Sequence, residues 1–379
     1  MVGMLNKDRF QVGSPSMINV DYFEEYVRNI YDNHWFTNNG PMVRNLEFDM
    51  KKRLGVKYCI AVVNATMGLQ ILAKALRVKK VIMPAFTFVA TAHAFKWIGC
   101  AVELVDVDDT HHIDINKLDE RLRWSNKFWG DTRPDTIVGV HIWGEPCYIN
   151  DIKEVADRYG VKNIIYDAAH AFDVEYHGVK HIGNFGDAEV FSFHATKFIN
   201  GFEGGMITTN NEKIANKCKA LRNFGFADAS GEHTLGVGTN AKMTEICAAA
   251  VLANMTNINT LKNINENIYN QYRLELRDTF VARVYEFGHT NSKYNYQYVP
   301  IQIMRPFSRD KIMELLNSIG VKARRYFYPG IHMIKPYSRM HKHMPITDEI
   351  CESILCLPTG PQMLEDGIVA DICRIIKGV

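Results

Sequence analysis

The chain has 379 residues, of which 47% are hydrophobic and 23% charged, and these ordinary globular proportions exclude collagen-like, coiled-coil and disordered proteins. Lys and Arg total 44 against 42 for Asp and Glu, a net charge of +2, so no basic excess indicates a nucleic-acid partner. The eight cysteines form no C-x-x-C pair and are typical of reduced thiols in a cytoplasmic protein. No apolar run is long enough for a membrane span, and we expect no metal site.

From residue 56 onward, short apolar runs alternate with amphipathic stretches. The predicted strands of this region are 58–63, 80–84, 101–107, 136–142 and 163–168. The predicted helices between them are 66–76, 89–98, 115–122 and 150–159, the last beginning at a cap-competent Asn150. Repeated strand–helix units predict an α/β fold with a mostly parallel sheet covered on both faces, in which ligands bind at the carboxyl ends of the strands.

After Gly178 the pattern changes. The strands predicted at 188–193 and 204–209 are joined by a loop, and helical stretches follow at 213–223 and 243–276. The next elements are strands at 281–287 and 296–303 and helices near 309–318 and 362–377. We therefore predict a large domain over residues 1–255, with an N-terminal helical segment, and a smaller C-terminal α+β domain over residues 256–379.

Two charged residues could carry chemistry at the sheet edge. Asp167 ends a strand that is apolar on both faces, so its carboxylate emerges at the ligand-binding edge and needs a cationic or N–H partner. A protonated ring nitrogen would serve. Lys197 lies just past the next strand among Phe193, Phe198 and Gly201, and the desolvation expected there favours the neutral amine that Schiff-base chemistry requires.

Three further positions suit a phosphorylated aromatic ligand. Thr66 opens a helix after Asn64-Ala65, where free N–H groups favour an anion, and Ser192 could donate its hydroxyl to the same phosphate. Phe88 follows another strand and offers an aromatic face. Alone, each feature has an ordinary explanation as a cap, a surface charge or core packing. Together at one sheet edge, they predict a site for pyridoxal 5′-phosphate (PLP).

These residues occur in an order that resembles the DegT/DnrJ/EryC1/StrS family, and the resemblance extends from Phe36 to Pro358. The motifs that carry it are Asn64-Ala65-Thr66, Pro84-x-x-Thr87-Phe88, Asp167-Ala168-Ala169-His170, Gly178…Gly183…Gly186-Asp187, Ser192-Phe193-x-x-x-Lys197 and Glu203-Gly204-Gly205. The resemblance implies the fold-type I, aspartate-aminotransferase-like architecture. It also implies a PLP-dependent aminotransferase that acts on nucleotide-linked keto-sugars.

The resemblance assigns roles to individual positions. It implies that Lys197 forms the covalent link to PLP and later carries protons, and that Asp167 pairs with the ring nitrogen. The other implied cofactor contacts are Ala65, Thr66 and Ser192 at the phosphate, Phe88 stacked on the ring, His170 near the phenolic oxygen, and Asn240 supplied to the site of a neighbouring subunit. The implied substrate-binding residues are Asn39, Gly40, His194, Tyr326, Phe327 and His332. A homodimer with a shared active site follows from the Asn240 match.

Several positions depart from the family pattern. Ala65 and Phe202 replace glycines, Lys242 replaces an arginine, and residues 123–134 resemble an insertion. None of these changes the lysine–aspartate pair, so they bear on substrate specificity.

The segment from Phe36 to Pro41 resembles family members that aminate C4 of a 4-keto-6-deoxyhexose to give 4-amino-4,6-dideoxyglucose, with L-glutamate as the donor. Amination at C3 of a 3-keto-6-deoxyhexose nucleotide is the alternative. Two further readings are a PLP-dependent sugar 3-dehydratase, whose relatives have histidine where Lys197 stands, and a PLP-binding module without turnover. The nucleotide stays open among dTDP, UDP and GDP.

Overall fold

The structure, a computed structural model, describes residues 10–128, 133–228, 230–288, 291–338 and 343–379. Its strands are β1 (Phe10–Gln11), β2 (Tyr58–Val62), β3 (Lys80–Pro84), β4 (Ala101–Val105), β5 (Thr136–Val140), β6 (Asn163–Asp167), β7 (Glu175–Tyr176), β8 (Lys180–His181), β9 (Ala188–Ser192), β10 (Gly205–Thr209), β11 (Ala282–Val284), β12 (Val299–Ile303), β13 (Val321–Lys322) and β14 (Ile354–Leu357). Its α-helices are α1 (Val20–Asp32), α2 (Pro41–Leu54), α3 (Ala65–Leu76), α4 (Val89–Trp97), α5 (Ile115–Phe128), α6 (Ile149–Tyr159), α7 (Glu212–Leu221), α8 (Glu245–Met255), α9 (Ile258–Leu276), α10 (Arg309–Ser318), α11 (Pro345–Ser353) and α12 (Ile368–Lys377).

Among the described residues, the central sheet has seven strands in the order β2-β10-β9-β6-β5-β3-β4. β10 runs antiparallel to β2 and β9, and the pairs from β9 through β4 are parallel. The expected α/β fold with a mostly parallel, mixed sheet is therefore confirmed. Because parallel strands end on one edge, the last residues of β3, β6 and β9 lie there together.

Apolar side chains alternate between the two faces of this sheet. Ile137 and Tyr166 point into a core formed with α2, α5, α6 and α8, whereas their neighbours Val138 and Ile165 point into a second core formed with α3, α4 and α7. The period of two along each strand thus buries both faces, which is why these strands read as continuous apolar runs.

The C-terminal part has its own antiparallel sheet, in the order β11-β12-β14. Its core is formed with α9, α10 and α12, and Phe10 of the N-terminal segment joins it. β1 pairs in parallel with β13, so residues 10 and 11 lie against this part of the molecule. The start of α9 packs in the core of the central sheet and its remainder in the C-terminal core, as Ile258 and Ile268 illustrate.

Three predicted helices differ from the structure. The stretch near 362–377 is α-helical only from Ile368, because Gly367 before it has a positive φ of 81°. The stretch 243–276 is broken between α8 and α9, because Asn257 leaves the helical conformation and the Thr256 hydroxyl donates to the Ala253 carbonyl. α6 begins at Ile149 with Tyr148 as its N-cap, so Asn150 lies inside the helix rather than capping it.

The predicted insertion at 123–134 begins as the last turns of α5, and residues 129–132 lie outside the described part of the chain. Within the described ranges, no helix is long and apolar enough to cross a membrane.

Candidate active site

Lys197 lies in the loop of residues 193–204 that joins β9 to β10. The loop closes on itself, since the N–H groups of Phe193 and Gly201 donate to the carbonyls of Gly204 and Phe193. Gly201 is tightly packed: a Cβ there would lie 2.5 Å from Val251 Cγ2 of α8. The loop therefore holds Lys197 against the core rather than in solvent.

The environment of the Lys197 amine lowers its pKa toward neutrality. Burial lowers its pKa from 10.5 to about 8, and the negative charge of Asp167 limits the fall. Lys197 Nζ donates to the Tyr298 hydroxyl at 3.4 Å and lies 5.9 Å from the centre of that ring. A lysine that loses its proton near neutral pH is suited to attack on a carbonyl group and to proton transfer.

Asp167 ends β6 at the centre of the sheet and is 8% exposed. Its Oδ1 accepts from the backbone N–H of Ala169 at 3.1 Å, and its Oδ2 accepts from the Thr91 hydroxyl at 2.7 Å. The carboxylate is therefore held in orientation from both sides. It keeps lone pairs free for a further N–H donor.

His170 follows Asp167 by three residues in the chain and is buried. Desolvation and the nearby Lys197 charge lower its pKa well below 6.5, so the ring is neutral near pH 7. Its Nδ1 is buried and has no hydrogen-bond partner among the described residues. A buried polar atom without a partner is costly, and a bound polar group next to His170 would remove that cost.

The residues expected at the phosphate lie near one another: Ser192 ends β9, and Ala65 and Thr66 open α3. Gly205 pairs in register with Ser192 on one side and with Val62 on the other. A Cβ at Gly205 would lie 2.6 Å from the backbone N of Ala65, so the glycine lets β10 approach the start of α3. Helix geometry leaves the N–H groups of Ala65 and Thr66 without intrahelical acceptors.

Ser192 completes this group of residues. Its Oγ accepts from the His194 N–H at 3.4 Å, which leaves the hydroxyl proton for another acceptor. Asn64 caps α3 by accepting from Met67 N–H at 2.9 Å. The positive end of α3 and the Ser192 hydroxyl thus form a corner whose donors suit an anion, called the anion-binding corner below.

Aromatic rings form one wall of the site. Phe88, at the N-terminus of α4, is 54% exposed, and its ring lies 5.9 Å from that of Phe327. Phe327 is buried and packs against both Trp143 and His170, at ring distances of 5.8 and 6.2 Å. The structure therefore brings Phe88 and Phe327 together, although they are far apart in the sequence.

The remaining predicted residues have more varied surroundings. Tyr326 packs its ring 5.9 Å from Tyr298, and the His194 Nδ1 lies 2.8 Å from the Thr196 hydroxyl, so both belong to the surroundings of Lys197. Asn240 is exposed, and its side chain accepts from Lys242 at 2.7 Å.

Three predicted substrate residues have contacts elsewhere. Asn39 accepts from Arg222 at 3.1 Å, and Gly40 lies so close to the carboxylate of Glu245 that a Cβ would be 2.6 Å from it. His332 is 1% exposed and pairs with Asp348 of α11 at 2.9 Å. These contacts are with groups other than Lys197 and Asp167.

Sequence reasoning missed Thr91, Tyr298 and Trp143. Thr91 contacts Asp167 directly, Tyr298 contacts Lys197, and Trp143 supports Phe327. Only Thr91 gave a usable signal, because it lies four residues after Thr87 at the start of a helix, and residues so spaced share one face.

The model of the DegT/DnrJ/EryC1/StrS aminotransferase family matches residues 19–377. The chain is similar to the dTDP-4-amino-4,6-dideoxy-D-glucose transaminase of Escherichia coli, with 33% identity over 99% of this chain and 100% of the relative. The protein of that name from Shigella dysenteriae is 34% identical, over 94% of this chain and 95% of the relative. The crystal structure of DesI in the presence of its TDP-sugar product has a TM-score of 0.89 at 36% identity, covering 98% of this chain and 92% of that one.

The fold-type I architecture expected from the resemblance is confirmed by this structural likeness. The match over almost the whole chain, together with the placement of Lys197 and Asp167 at the edge of the sheet, gives one conclusion. The chain belongs to the DegT/DnrJ/EryC1/StrS aminotransferase family.

Proposed function

We propose that this protein transfers the amino group of L-glutamate to C4 of a nucleotide-linked 4-keto-6-deoxyhexose and that PLP is its cofactor. The product would be a 4-amino-4,6-dideoxy sugar nucleotide such as dTDP-4-amino-4,6-dideoxyglucose. The observation that supports this proposal most strongly is the environment of Lys197. Its amine is partly buried, has a pKa of about 8 and lies near the negative charge of Asp167. The choice of C4 and of dTDP is supported by the names of the relatives from E. coli and S. dysenteriae.

The residues present fit PLP. The N-terminus of α3 and the Ser192 hydroxyl suit its phosphate, Asp167 suits its ring nitrogen, and the unpartnered Nδ1 of His170 suits its phenolic oxygen. The exposed face of Phe88 suits its ring. When bound, PLP supplies an electron sink for the negative charge that develops at the carbon losing its proton.

The protein's own groups then have distinct tasks. Lys197 Nζ accepts a proton from the amino-acid carbon and later returns one to the sugar carbon, a general base and acid whose pKa of about 8 suits both directions near neutral pH. Asp167, fixed by Thr91 and Ala169, keeps the ring nitrogen protonated by its negative charge. Tyr298 restrains the amine through its hydroxyl.

We also propose a homodimer in the cytoplasm whose active site is completed by Asn240 of a second copy. Large apolar side chains are exposed near the N-terminus of α2 and near Asn240, which is common at subunit contacts. These exposed residues are Trp35, Phe36, Phe48, Phe224, Leu235 and Val237. All eight cysteines are free, which fits a reducing compartment.

The test is an absorbance spectrum of purified protein reconstituted with PLP, followed by L-glutamate and then by dTDP-4-keto-6-deoxyglucose. We expect a visible band that bleaches with glutamate and returns with the sugar, and an aminated product. Lys197→Ala should lack the band, whereas Lys52→Ala, a surface control on α2, should keep it.

The outcomes separate the alternatives. Nuclear magnetic resonance of the product distinguishes an amine at C4 from one at C3, and a deoxygenated sugar without nitrogen would indicate a dehydratase. An absorbance band that neither substrate changes would indicate a PLP-binding module without turnover. UDP- and GDP-linked keto-sugars tested in parallel identify the nucleotide. A protein that shows no band with PLP contradicts the proposal.

A further inference from the structure

Two buried threonines form a line that ends at Asp167. Thr87, between β3 and α4, and Thr91, in the first turn of α4, are 2% and 1% exposed. Their hydroxyl oxygens lie 2.9 Å apart, and Thr91 Oγ1 lies 2.7 Å from Asp167 Oδ2. Neither threonine was assigned a role by the sequence reasoning above.

Only one assignment of donors and acceptors is consistent along this line of hydrogen bonds. An ionised carboxylate has no proton to give, so Thr91 must donate its single hydroxyl proton to Asp167. The 2.9 Å contact between the threonines then needs its proton from Thr87. Thr87 donates to Thr91, and Thr91 donates to Asp167. Each donor polarises the next, which strengthens the final hydrogen bond to the charged group.

We propose that Thr91, supported by Thr87, is a positioning residue that fixes the plane of the Asp167 carboxylate and thereby pre-organises it for the ring nitrogen of PLP. The inference rests on the proposed cofactor. It adds to that function a relay of two hydroxyl groups at the start of α4. Thr91, which contacts Asp167, is 76 positions away from it in the chain.

The backbone N–H of Ala169 holds only one oxygen of Asp167, at 3.1 Å. Without Thr91, rotation of the carboxylate about its terminal torsion would meet little resistance, because this torsion is intrinsically broad. With both oxygens held, the cost of orienting the group is met in folding rather than in binding. The relay therefore acts on cofactor affinity before any reaction occurs.

The test measures PLP dissociation constants and absorption maxima for four variants of the full-length protein. Thr91→Val should raise the dissociation constant by about tenfold and shift the absorption maximum, since it removes a hydrogen bond to a charged group. Thr91→Ser restores the hydroxyl and should recover most of the affinity. Thr87→Val should weaken PLP binding by about threefold, because it removes a neutral hydrogen bond to Thr91 and not one to Asp167 itself. In Thr87→Val/Thr91→Val, the first change should add nothing to the second.

Thr136→Val is the matched control. The Thr136 hydroxyl also donates to an aspartate, Asp135, at 2.8 Å, but it lies at the amino end of β5, on the opposite edge of the sheet. This variant should leave the PLP dissociation constant and the spectrum unchanged. Thermal unfolding of each apoprotein shows whether a variant is folded.

The inference is overturned if Thr91→Val binds PLP with wild-type affinity and spectrum, or if Thr91→Ser fails to recover the affinity. It is also overturned if the dissociation constant of the double variant rises by the product of the two single-variant factors. A wild-type protein that does not bind PLP would instead overturn the proposed function. The two failures are therefore distinguishable.

Discussion

The hydroxyl of Tyr298 lies 3.4 Å from Nζ of Lys197. Tyr298 immediately precedes β12 of the C-terminal sheet, whereas Asp167 ends β6 and Lys197 lies in the loop between β9 and β10. Burial lowers the Lys197 pKa to about 8 and the charge of Asp167 opposes that fall. A hydroxyl that accepts a hydrogen bond from the ammonium form is expected to oppose it as well. The C-terminal part of the chain thus contributes to the protonation state of the residue expected to perform the chemistry.

Replacing Tyr298 by Phe should lower the Lys197 pKa further below about 8, by up to about one pH unit, because a hydrogen bond of about 0.5–1.5 kcal/mol to the charged form is lost. The rate at which apoprotein captures PLP, measured against pH, should then have its midpoint at lower pH. Tyr272→Phe removes a buried hydroxyl that donates to Pro358 O in the C-terminal core, and it should leave the midpoint in place. An upward shift in Tyr298→Phe would contradict this reading.

Replacing Lys197 by Met should stabilise the apoprotein near neutral pH. The folded-state pKa of about 8 is lower than the ordinary 10.5, so below pH 8 the folded protein holds an ammonium in an unfavourable place. This cost falls as pH rises from 8 to 10.5 and is absent above that range. Allowing for the partial exposure of the residue, we expect a gain of about 1–3 kcal/mol.

The measurement is the denaturant midpoint of apoprotein against pH. The difference between Lys197→Met and wild type should shrink as the pH rises through this window. Lys52→Met, a substitution on the exposed side of α2, should give no such pH-dependent difference. A gain that stays constant with pH would show that packing, rather than charge, is responsible.

Replacing Gly205 by Ala should damage the anion-binding corner. The added Cβ would lie 2.6 Å from the backbone of Asn64 and Ala65, so the start of α3 must move. We expect a loss of about 1–3 kcal/mol of stability and weaker PLP binding. Gly204→Ala is the matched control, because its Cβ would meet the flexible end of Met243 at 2.8 Å. Equal PLP affinities in the two variants would argue against a phosphate site here.

Replacing Glu189 by Gln should destabilise the centre of the sheet. Glu189 is fully buried and accepts from the N–H groups of Gly183 and Phe185 at 2.8 and 2.7 Å, while its other oxygen faces His141 Nε2 at 3.2 Å. The His141 Nδ1 accepts from Cys147 N–H, so the Nε2 carries the proton.

A glutamine amide N–H₂ turned toward that proton leaves two donors facing each other, at a cost of about 1–3 kcal/mol. Urea denaturation should show the loss, and Glu212→Gln on the exposed start of α7 should not. An unchanged midpoint in Glu189→Gln would mean that the amide finds another arrangement.

The parts of the fold that the sequence predicted best are those where local pattern and burial agree. The β3 strand and the α10 helix have the predicted bounds, since apolar runs and a Ser308 cap mark them clearly. The break between α8 and α9 was missed because helix-forming residues continue across it. Asp167 and Lys197 were found through their position at strand ends.

Tyr298 could not be found in that way, because its relation to Lys197 depends on contact across 101 positions of the chain. A pattern of local spacing carries no information about such a pair. Thr91 is intermediate, because its spacing to Thr87 is local whereas its partner Asp167 lies on a distant element, at the end of β6.

The N-terminal strand has a consequence for the order of assembly. The backbone N–H of Gln11 donates to the side chain of Gln362, 351 positions later, and β1 pairs with β13. During synthesis, the partners of residues 10 and 11 emerge only after the whole central sheet, so this segment can dock only after β13 and Gln362 have been synthesised. Gly13 lies close to the loop of Lys197, since a Cβ at Gly13 would be 3.0 Å from Thr196 Cβ. The loop that carries Lys197 is thus in contact with a segment that is synthesised before the central sheet but can dock only after it.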